Sequence, residues 1–433
     1  MSLPDLQQHI AGQTHLLVAY SGGLDSTVLL HQLVCLRRQQ PFSLRAIHIH
    51  HGLNPLAESW VAHCQQQCVR WQVELEVVKV QVDGREKGIE AAAREARYRA
   101  FRQHIQPGEA LLTAQHLDDQ CETLLLALKR GSGPAGLAAM PDKMHAGAYV
   151  HLRPLLRQTR AQLELWAAEQ QLSWIEDDSN QDTRYDRNFL RQQILPQLTA
   201  RWPHFAQATA RSAALCGEQE QLLDELLAES LHALIDKQGA LAIQTLEPMS
   251  AVRRAALLRR WIAHHHGLMP SRDALSRIWQ EVACSREDAE PRLQLGNFEV
   301  RRFRDRLYWL ARHPSVRDQI LDWPVTASFL TLPAKIGRLE RSDKGTPVRA
   351  PQAGEAVSVR FQAQGKFHIL GRAGSRPIKK IWQELGIPPW QRERTPLLFY
   401  GDRLIAAPGV FVTREGDPKQ QPGWHICWQQ EEQ

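Results

Sequence analysis

Asp119 and Glu122 stand three residues apart in "DQCETLLLALKR", so on a helix both carboxylates leave from one face. Such a pair can hold an ammonium group and then take one of its protons. The spacing also fits a helix start, with Asp119 as N-cap and Glu122 completing a near capping box that stabilises the helix by about 1 kcal/mol. A third carboxylate, Asp25, lies in "LLVAYSGGLDSTVLL". There an apolar strand passes through Ser21, Gly22, Gly23 and Leu24 into a helix opened by Ser26. Backbone N–H groups and hydroxyls converge at this helix N-terminus and favour an anion, and glycine lets the backbone approach it closely. No lysine stands in the turn, so it is not the loop that grips a terminal phosphoryl group. Asp25 would repel phosphate unless a divalent cation lay between them, which points to magnesium-bound pyrophosphate. The two glycines alone fit a serine-capped turn equally well.

These groups need a scaffold. From about 14 to 195 the strands "HLLVAY", "LRAIHIH", "VELEVVKV" and "ALLTAQH" are each followed by a helical stretch. The alternation predicts a parallel sheet covered on both faces, with ligands at the carboxyl ends of its strands. Arg94 and Arg97 share one face of the helix after the third strand, within reach of a phosphate, although Arg99 and Arg102 would extend the same face as solvated charge. From 197 to 312 the pattern turns helical and closes on a strand pair, "LQLGNFEVRRF" and "RLYWLAR". The stretch 313–354 carries several prolines and glycines and reads as a linker. From 355 to 433 a small β-rich domain with one helix is expected, with Gly401 and Asp402 in a hairpin turn. The fold class is therefore α/β: a catalytic domain over 1–196, a helical domain over 197–312, the linker, and the β-rich domain.

With 433 residues, 43% of them hydrophobic, the chain can form two or three packed domains. It has no apolar run near the roughly 20 residues that span a bilayer and no signal-peptide layout, so a cytoplasmic protein is expected. A net charge of +6, from 53 basic and 47 acidic residues, is a mild bias toward a polyanionic partner. Seven scattered cysteines form no two-residue-spaced pair, which argues against disulfides, zinc ribbons and redox dithiols. His63, Cys64 and Cys68 in "HCQQQC" lack a second ligand pair nearby, so burial is the expectation for them.

The loop "SGGLDS" resembles the SGGxDS loop of the PP-loop ATP pyrophosphatases, which adenylate a carbonyl oxygen and release pyrophosphate. Five further segments come in the order seen in tRNA(Ile)-lysidine synthetases: "HHGL" (His50 to Leu53), "GIEAAAREARY", "TAQHLDDQCET", "RGSGPAGL" and "EDDSNQDTRYDRNFLR". "KKIWQELGIPPWQRERTPLLFYGDRLI" is similar to the C-terminal domain of the longer, bacterial members. One departure is His50, which stands where the commoner family form has Asn.

The resemblance implies ATP and Mg2+ as cofactors, and tRNA(Ile) with anticodon CAU and free L-lysine as substrates, with no membrane or protein partner. ATP would adenylate the C2 oxygen of the wobble cytidine, and the lysine ε-amine would then expel AMP. It assigns ATP binding to Ser21, Gly22, Gly23, Leu24, Asp25 and Ser26, with Asp25 toward magnesium. Asp119 and Glu122 become the lysine site, and Arg94 and Arg187 steady the phosphate or the base, while His116 and Asp118 assist. "RGSGPAGL" lines the entry for the flipped wobble base. Arg372, Arg376, Lys379, Lys380, Arg392 and Arg394 crowd one C-terminal segment with Trp382 and Trp390, a mixture suited to phosphate contact, with Trp382 expected in the core. A related tRNA thiolase would usually need paired cysteines, which are absent. A non-catalytic tRNA-binding protein would have no need of Asp25, Asp119 and Glu122 together.

Overall fold

A computed structural model describes residues 3–52, 54–83, 85, 88–286, 289–419 and 423–431. Leu53, which ends "HHGL", lies outside the described residues. The chain divides into two compact units, Met1–Leu226 and Leu227–Gln433.

The first unit begins with α1 (Leu3–His9), β1 (His15–Ala19), α2 (Leu24–Arg37), β2 (Ser43–His50), α3 (Ala57–Trp71), β3 (Glu74–Lys79), α4 (Ile89–His104) and β4 (Ala110–Leu112). It continues with α5 (Leu117–Lys129), α6 (Pro134–Leu137), β5 (Lys143–Ala146), β6 (Tyr149–Leu152), α7 (Arg160–Glu169), α8 (Asp186–Phe189) and α9 (Leu195–Arg201). The sheet order is β3-β2-β1-β4-β6-β5. All neighbours pair in parallel except the edge hairpin of β5 and β6. The expected parallel sheet is thus present, with one antiparallel edge strand. Leu16, Leu17 and Val18 of β1 are fully buried, as befits a central parallel strand covered on both faces. Helix α2 is apolar nearly all round because it too is enclosed, with Val28, Leu29, Leu30 and Leu33 in the main core.

Strands β1, β2 and β3 build outward to one side, and the chain then returns to place β4 on the other side of β1. The connections leaving β1 and β4 therefore diverge, opening a crevice at the carboxyl edge. Asp25 follows β1 and His116 follows β4, so this reversal brings the two separate motifs together.

Helix α10 (Phe205–Leu234) runs past the unit boundary. The second unit continues with β7 (Leu241–Ala242), α11 (Ala251–His264), α12 (Arg272–Arg277), β8 (Arg292–Leu295), β9 (Phe298–Phe303) and β10 (Arg306–Ala311). These strands form an antiparallel sheet ordered β7-β10-β9-β8, and Trp261 of α11 is buried in the core with Leu257, Ile278, Val300 and Leu307. Then come β11 (Ile320–Asp322), β12 (Phe329–Leu332), β13 (Gly337–Arg349), β14 (Val357–Arg360), β15 (Lys366–Phe367), β16 (Arg376–Pro377), α13 (Ile378–Glu384) and α14 (Pro389–Arg392). Strands β17 (Leu397–Tyr400), β18 (Arg403–Ala407), β19 (Phe411–Val412) and β20 (Gly423–Gln429) close the chain. The hairpin turn expected at Gly401 and Asp402 joins β17 to β18.

The stretch read as a linker is folded. Strands β11 and β13 pair with β14 and β20, and Val316, Trp323, Leu332, Ile336, Leu339 and Val348 are buried in one core with Val359, Leu398 and Ile426. Prolines and glycines here turn the chain between strands, and Gly345 and Pro347 lie within β13 itself, instead of releasing the chain. Trp323 is 2% exposed, and its indole N–H donates to the Ala327 carbonyl at 3.2 Å. Trp323→Ala is expected to cost about 3–5 kcal/mol of stability in urea denaturation, where a tryptophan on a free linker would cost almost nothing.

Candidate active site at the carboxyl edge of the first sheet

The loop after β1 is shaped by its glycines. Gly22 has φ +85°, and a Cβ there would lie 2.6 Å from Ile175 Cδ1 and 2.8 Å from Cys64 Sγ, so a side chain is excluded by backbone conformation and by space. The Ile175 N–H donates to the Gly22 carbonyl at 2.9 Å, pinning the turn from behind. Gly23 is the N-cap of α2, and no side chain caps that helix start. The Ser26 hydroxyl donates to the Gly23 carbonyl at 3.1 Å and lies 3.0 Å from Ser21 Oγ. The Ser21 and Gly23 N–H groups donate within the loop, to Ser26 Oγ and Ser21 Oγ, so Ser21, Gly22, Gly23, Leu24, Asp25 and Ser26 form a compact turn at a helix N-terminus, the kind of place that suits phosphate. Asp25 Oδ1 is buried without a hydrogen-bond partner, which fits a carboxylate oxygen available to a magnesium ion.

Across the crevice, α5 starts earlier than its residue pattern suggests. The N-cap is His116, and Asp119 is the third helical residue, its Oδ2 accepting from the His116 backbone N–H at 3.0 Å. The capping role expected of Asp119 with Glu122 therefore shifts by one turn, because His116 already fills the N-cap, and Glu122 is left free of it. His116 is fully buried. Its Nε2 lies 3.6 Å from Asp25 Oδ2 and 3.5 Å from Asp119 Oδ2, and its Nδ1 is 3.4 Å from Asp118 Oδ2. The Asp118 backbone N–H also points at Nδ1, at 3.3 Å, but three carboxylates around the ring favour the charged form, in which both nitrogens donate. Burial opposes that charge, yet the contacts with Asp118, Asp119 and Asp25 outweigh it and raise the His116 pKa to about 10. Burial likewise works against ionised Asp25, and His116, Arg160 and Arg191 overcome it to lower its pKa.

Glu122 is fully buried, and burial together with Asp119 raises its pKa. Arg191 answers both acids: its Nε is 2.7 Å from Glu122 Oε1, and its Nη2 is 3.0 Å from Asp119 Oδ1. Arg187 Nε lies 3.5 Å from Glu122 Oε2, and its Nη2 donates to Thr123 Oγ1 at 3.2 Å. Arg160 donates its backbone N–H to Asp118 Oδ2 at 2.8 Å and brings Nη1 to 3.9 Å from Asp25 Oδ1. Arg94 and Arg97 both remain open to solvent on α4, Arg94 lying over the Tyr98 ring at 5.0 Å. The guanidinium groups of Arg94 and Arg187 lie near that of Arg97 and repel it. Among the described residues no acid is bonded to Arg97, so this side of the crevice carries positive charge.

The geometry therefore joins Asp25, His116, Asp118, Asp119, Glu122, Arg187 and Arg191, and places Arg94 with Arg97 and Arg187. Sequence reasoning passed over Arg160 and Arg191 as individual residues. The last arginine of "RYDRNFLR" recurs four positions after Arg187, and that helical spacing was the available signal.

Comparison with known proteins bears on this assembly. The PP-loop domain family matches residues 2–198, the TilS substrate binding domain 241–308, and the TilS substrate C-terminal domain 357–428. A protein of Pectobacterium atrosepticum, named tRNA(Ile)-lysidine synthase, is 60% identical over 97% of this chain and 96% of its own length. Those of the same name from Serratia proteamaculans and Salmonella dublin are 61% and 56% identical, covering 98% and 99% of this chain and 97% and 100% of their own. The chain belongs to the tRNA(Ile)-lysidine synthase family.

In this member of the family the second unit presents its basic segment unevenly. Arg372 and Arg376 each pair with Glu384 at 2.6 Å. Arg392 donates to the Ile387 carbonyl and Arg394 to that of Ala334. Lys379 and Lys380 are exposed. Trp382 is buried, as expected of a core residue, and Trp390 packs against Phe303 and Tyr308. Cys64 and Cys68 are buried, and burial raises both thiols to about 12. No group of three or more potential metal ligands occurs among the described residues, and none of the described helices is long and apolar enough to cross a membrane.

The folded His116 ring keeps its proton up to about pH 10, whereas the ordinary value for a histidine is 6.5. Its ion cluster therefore stabilises the fold fully below about pH 6.5, and the contribution is lost as pH rises through about 10. Urea denaturation of wild type and His116→Asn across that window is expected to show a stability difference that shrinks as pH rises.

Proposed function

We propose that this chain makes lysidine at the wobble cytidine of tRNA(Ile) with anticodon CAU, in the cytoplasm, using Mg-ATP and free L-lysine. The observation that carries the reading is the meeting of the two halves of the crevice: Asp25 of the glycine loop and Asp119 of the acid pair face the same buried imidazolium. A nucleotide site and an ammonium site share one wall.

In the first step the C2 oxygen of the cytidine attacks the α-phosphorus of ATP, and pyrophosphate leaves. Magnesium held at Asp25 would supply charge neutralisation for that departure. The cradle from Ser21 to Ser26 orients the phosphates, and Arg94 and Arg187, with Arg97 beside them, face the charge that develops on the α-phosphate. In the second step the lysine ε-amine forms a bond to C2, the C2–O bond breaks, and AMP carries away the oxygen. The amine arrives as a cation, with a pKa of about 10.4. Asp119 and Glu122 bind it, and a carboxylate whose affinity for a proton is already raised, Glu122, is suited to receive the proton it sheds. "RGSGPAGL" borders the entry of the flipped base.

Residues 1–196 carry the chemistry, and the rest of the chain surveys the tRNA, since the CAU anticodon alone does not distinguish tRNA(Ile) from tRNA(Met). Lys379 and Lys380, with Arg372 and Arg376 beside them, offer the phosphate-contacting edge; Arg392 and Arg394 shape the same segment through their carbonyl bonds.

Purified protein incubated with Mg-ATP, labelled lysine and separate tRNA(Ile) (CAU) and tRNA(Met) transcripts should place lysine at the wobble cytidine of the isoleucine tRNA only. Label in neither transcript would reject the reading. Glu122→Gln is expected to cut lysine incorporation by about 10²-fold while tRNA-dependent pyrophosphate release persists. Replacing Lys379 and Lys380 together by Ala should weaken tRNA binding and lower its salt slope by about 1 for each lysine that meets a phosphate, read by filter binding across a salt series.

A further inference from the structure

The two acids of the amine subsite have no idle oxygen. Asp119 Oδ1 accepts from Arg191 Nη2 at 3.0 Å, and Oδ2 accepts from the His116 backbone N–H at 3.0 Å. Glu122 Oε1 accepts from Arg191 Nε at 2.7 Å and Oε2 from Arg191 Nη2 at 3.2 Å. Arg187 touches only Glu122 of the pair, so among the described residues Arg191 alone bonds both carboxylates through its side chain. Its side chain is 28% exposed, and it leaves from a single π-helical stretch, Leu190–Ile194, set between α8 and α9. Stretches of this kind interrupt regular helical stepping and recur at functional sites.

Two carboxylates sharing a water-poor site resist double ionisation unless a cation stands between them. A guanidinium suits that task because its planar fork reaches two acids in fixed geometry, which an ammonium cannot match. We propose that Arg191 is the positioning residue of the amine subsite: its fork fixes the Asp119 and Glu122 carboxylates in one arrangement and sets a positive charge between them, so that Glu122 can meet the incoming ammonium as a carboxylate. The proposal rests on the reading of Asp119 and Glu122 as that subsite.

The groups around Glu122 support this assignment of the charge to Arg191. Burial and then Asp119 on the same helix push the Glu122 pKa up, and Arg191 and Arg187 push it down. Cys121, beside it, is raised to about 12 by burial and stays neutral. Helix α6, which packs on α5, has no titratable side chain. The other charged residue of α8, Asp186, is engaged 2.6 Å from Lys129 at the far end of α5.

The test is equilibrium binding of labelled lysine to the full-length protein with Mg2+ and a non-hydrolysable ATP analogue, from about pH 6 to about 9, where the lysine side chain stays charged. Arg191→Met should bind lysine about tenfold or more weakly near neutrality and recover most of the loss toward pH 9, as Glu122 gives up its proton. Arg191→Gln, which keeps hydrogen-bonding capacity and bulk, should behave alike and serves if Arg191→Met does not fold. Arg191→Lys, which returns the charge without the fork, should restore only part of the affinity at neutral pH. A deficit equal at every pH would reduce Arg191 to a structural clamp and overturn the proposal, as would unchanged or tighter lysine binding. Lysine affinity unaltered in Asp119→Asn and Glu122→Gln would instead remove the amine subsite itself, whatever the arginine variants do.

Discussion

His116 is buried among carboxylates from two separate connections of the first sheet, Asp25 after β1 and Asp118 and Asp119 after β4. The cluster exists because β4 returns to the opposite side of β1 from β2, so the two connections part and leave a crevice between them. A positive ring is misplaced at a helix N-terminus by the dipole alone. It is tolerated here because the acids of the first turn outweigh that field. With the proton in place, the glycine loop and the start of α5 behave as one electrostatic unit; a neutral ring would leave Asp25 and Asp119 facing each other with less to separate their charges.

The same logic extends outward. Four acids, Asp25, Asp118, Asp119 and Glu122, stand against His116, Arg160, Arg187 and Arg191. Buried ion pairs are weak sources of net stability, because desolvation consumes most of what the pairing returns, but removing one partner of such a set is costly. An apolar wall would hold the fold as well. What it could not do is present carboxylates beside the glycine loop, the arrangement that the proposed adenylation and amine attack require.

Much of this was legible in the order of residues. The strand and helix pattern pointed to the parallel sheet, because buried parallel strands such as "HLLVA" are continuously apolar, and the glycine pair marked the tight turn from β1 into α2. The antiparallel β5–β6 hairpin escaped notice, since β5 is a mostly exposed edge strand with little apolar pattern to read. The stretch 313–354 misled because prolines and glycines recur along it, Gly345 and Pro347 even within β13, and its buried residues are too sparse to show a period. The start of α5 was misplaced because Asp is a common N-cap and His is not. Only the three-dimensional surroundings of His116 reveal why it takes that position. Arg191 was hidden for a related reason: its partners lie about seventy residues away, and nothing in a local window tells an arginine on a solvated face from one that bridges two buried acids.

Crowded basic residues raise a comparable problem in the second unit, where a count of charges overstates the field they produce. Arg372 and Arg376 share Glu384, so the three together contribute one net positive charge, and Arg392 and Arg394 spend hydrogen bonds on backbone carbonyls. A guanidinium bonded to a carbonyl keeps its charge but loses some of the freedom needed to meet a phosphate. Counterion release depends on how many cations actually reach a nucleic-acid backbone, so on the proposed reading the exposed lysines of this segment count for more than its arginines. Arg392 and Arg394 instead hold the surface in shape, tying down the ends of the segment that carries Trp390, whose ring packs on Phe303 and Tyr308. Shape from arginine and attraction from lysine is a division that side-chain chemistry supports, since the planar fork fixes geometry while the flexible ammonium stem follows a moving backbone.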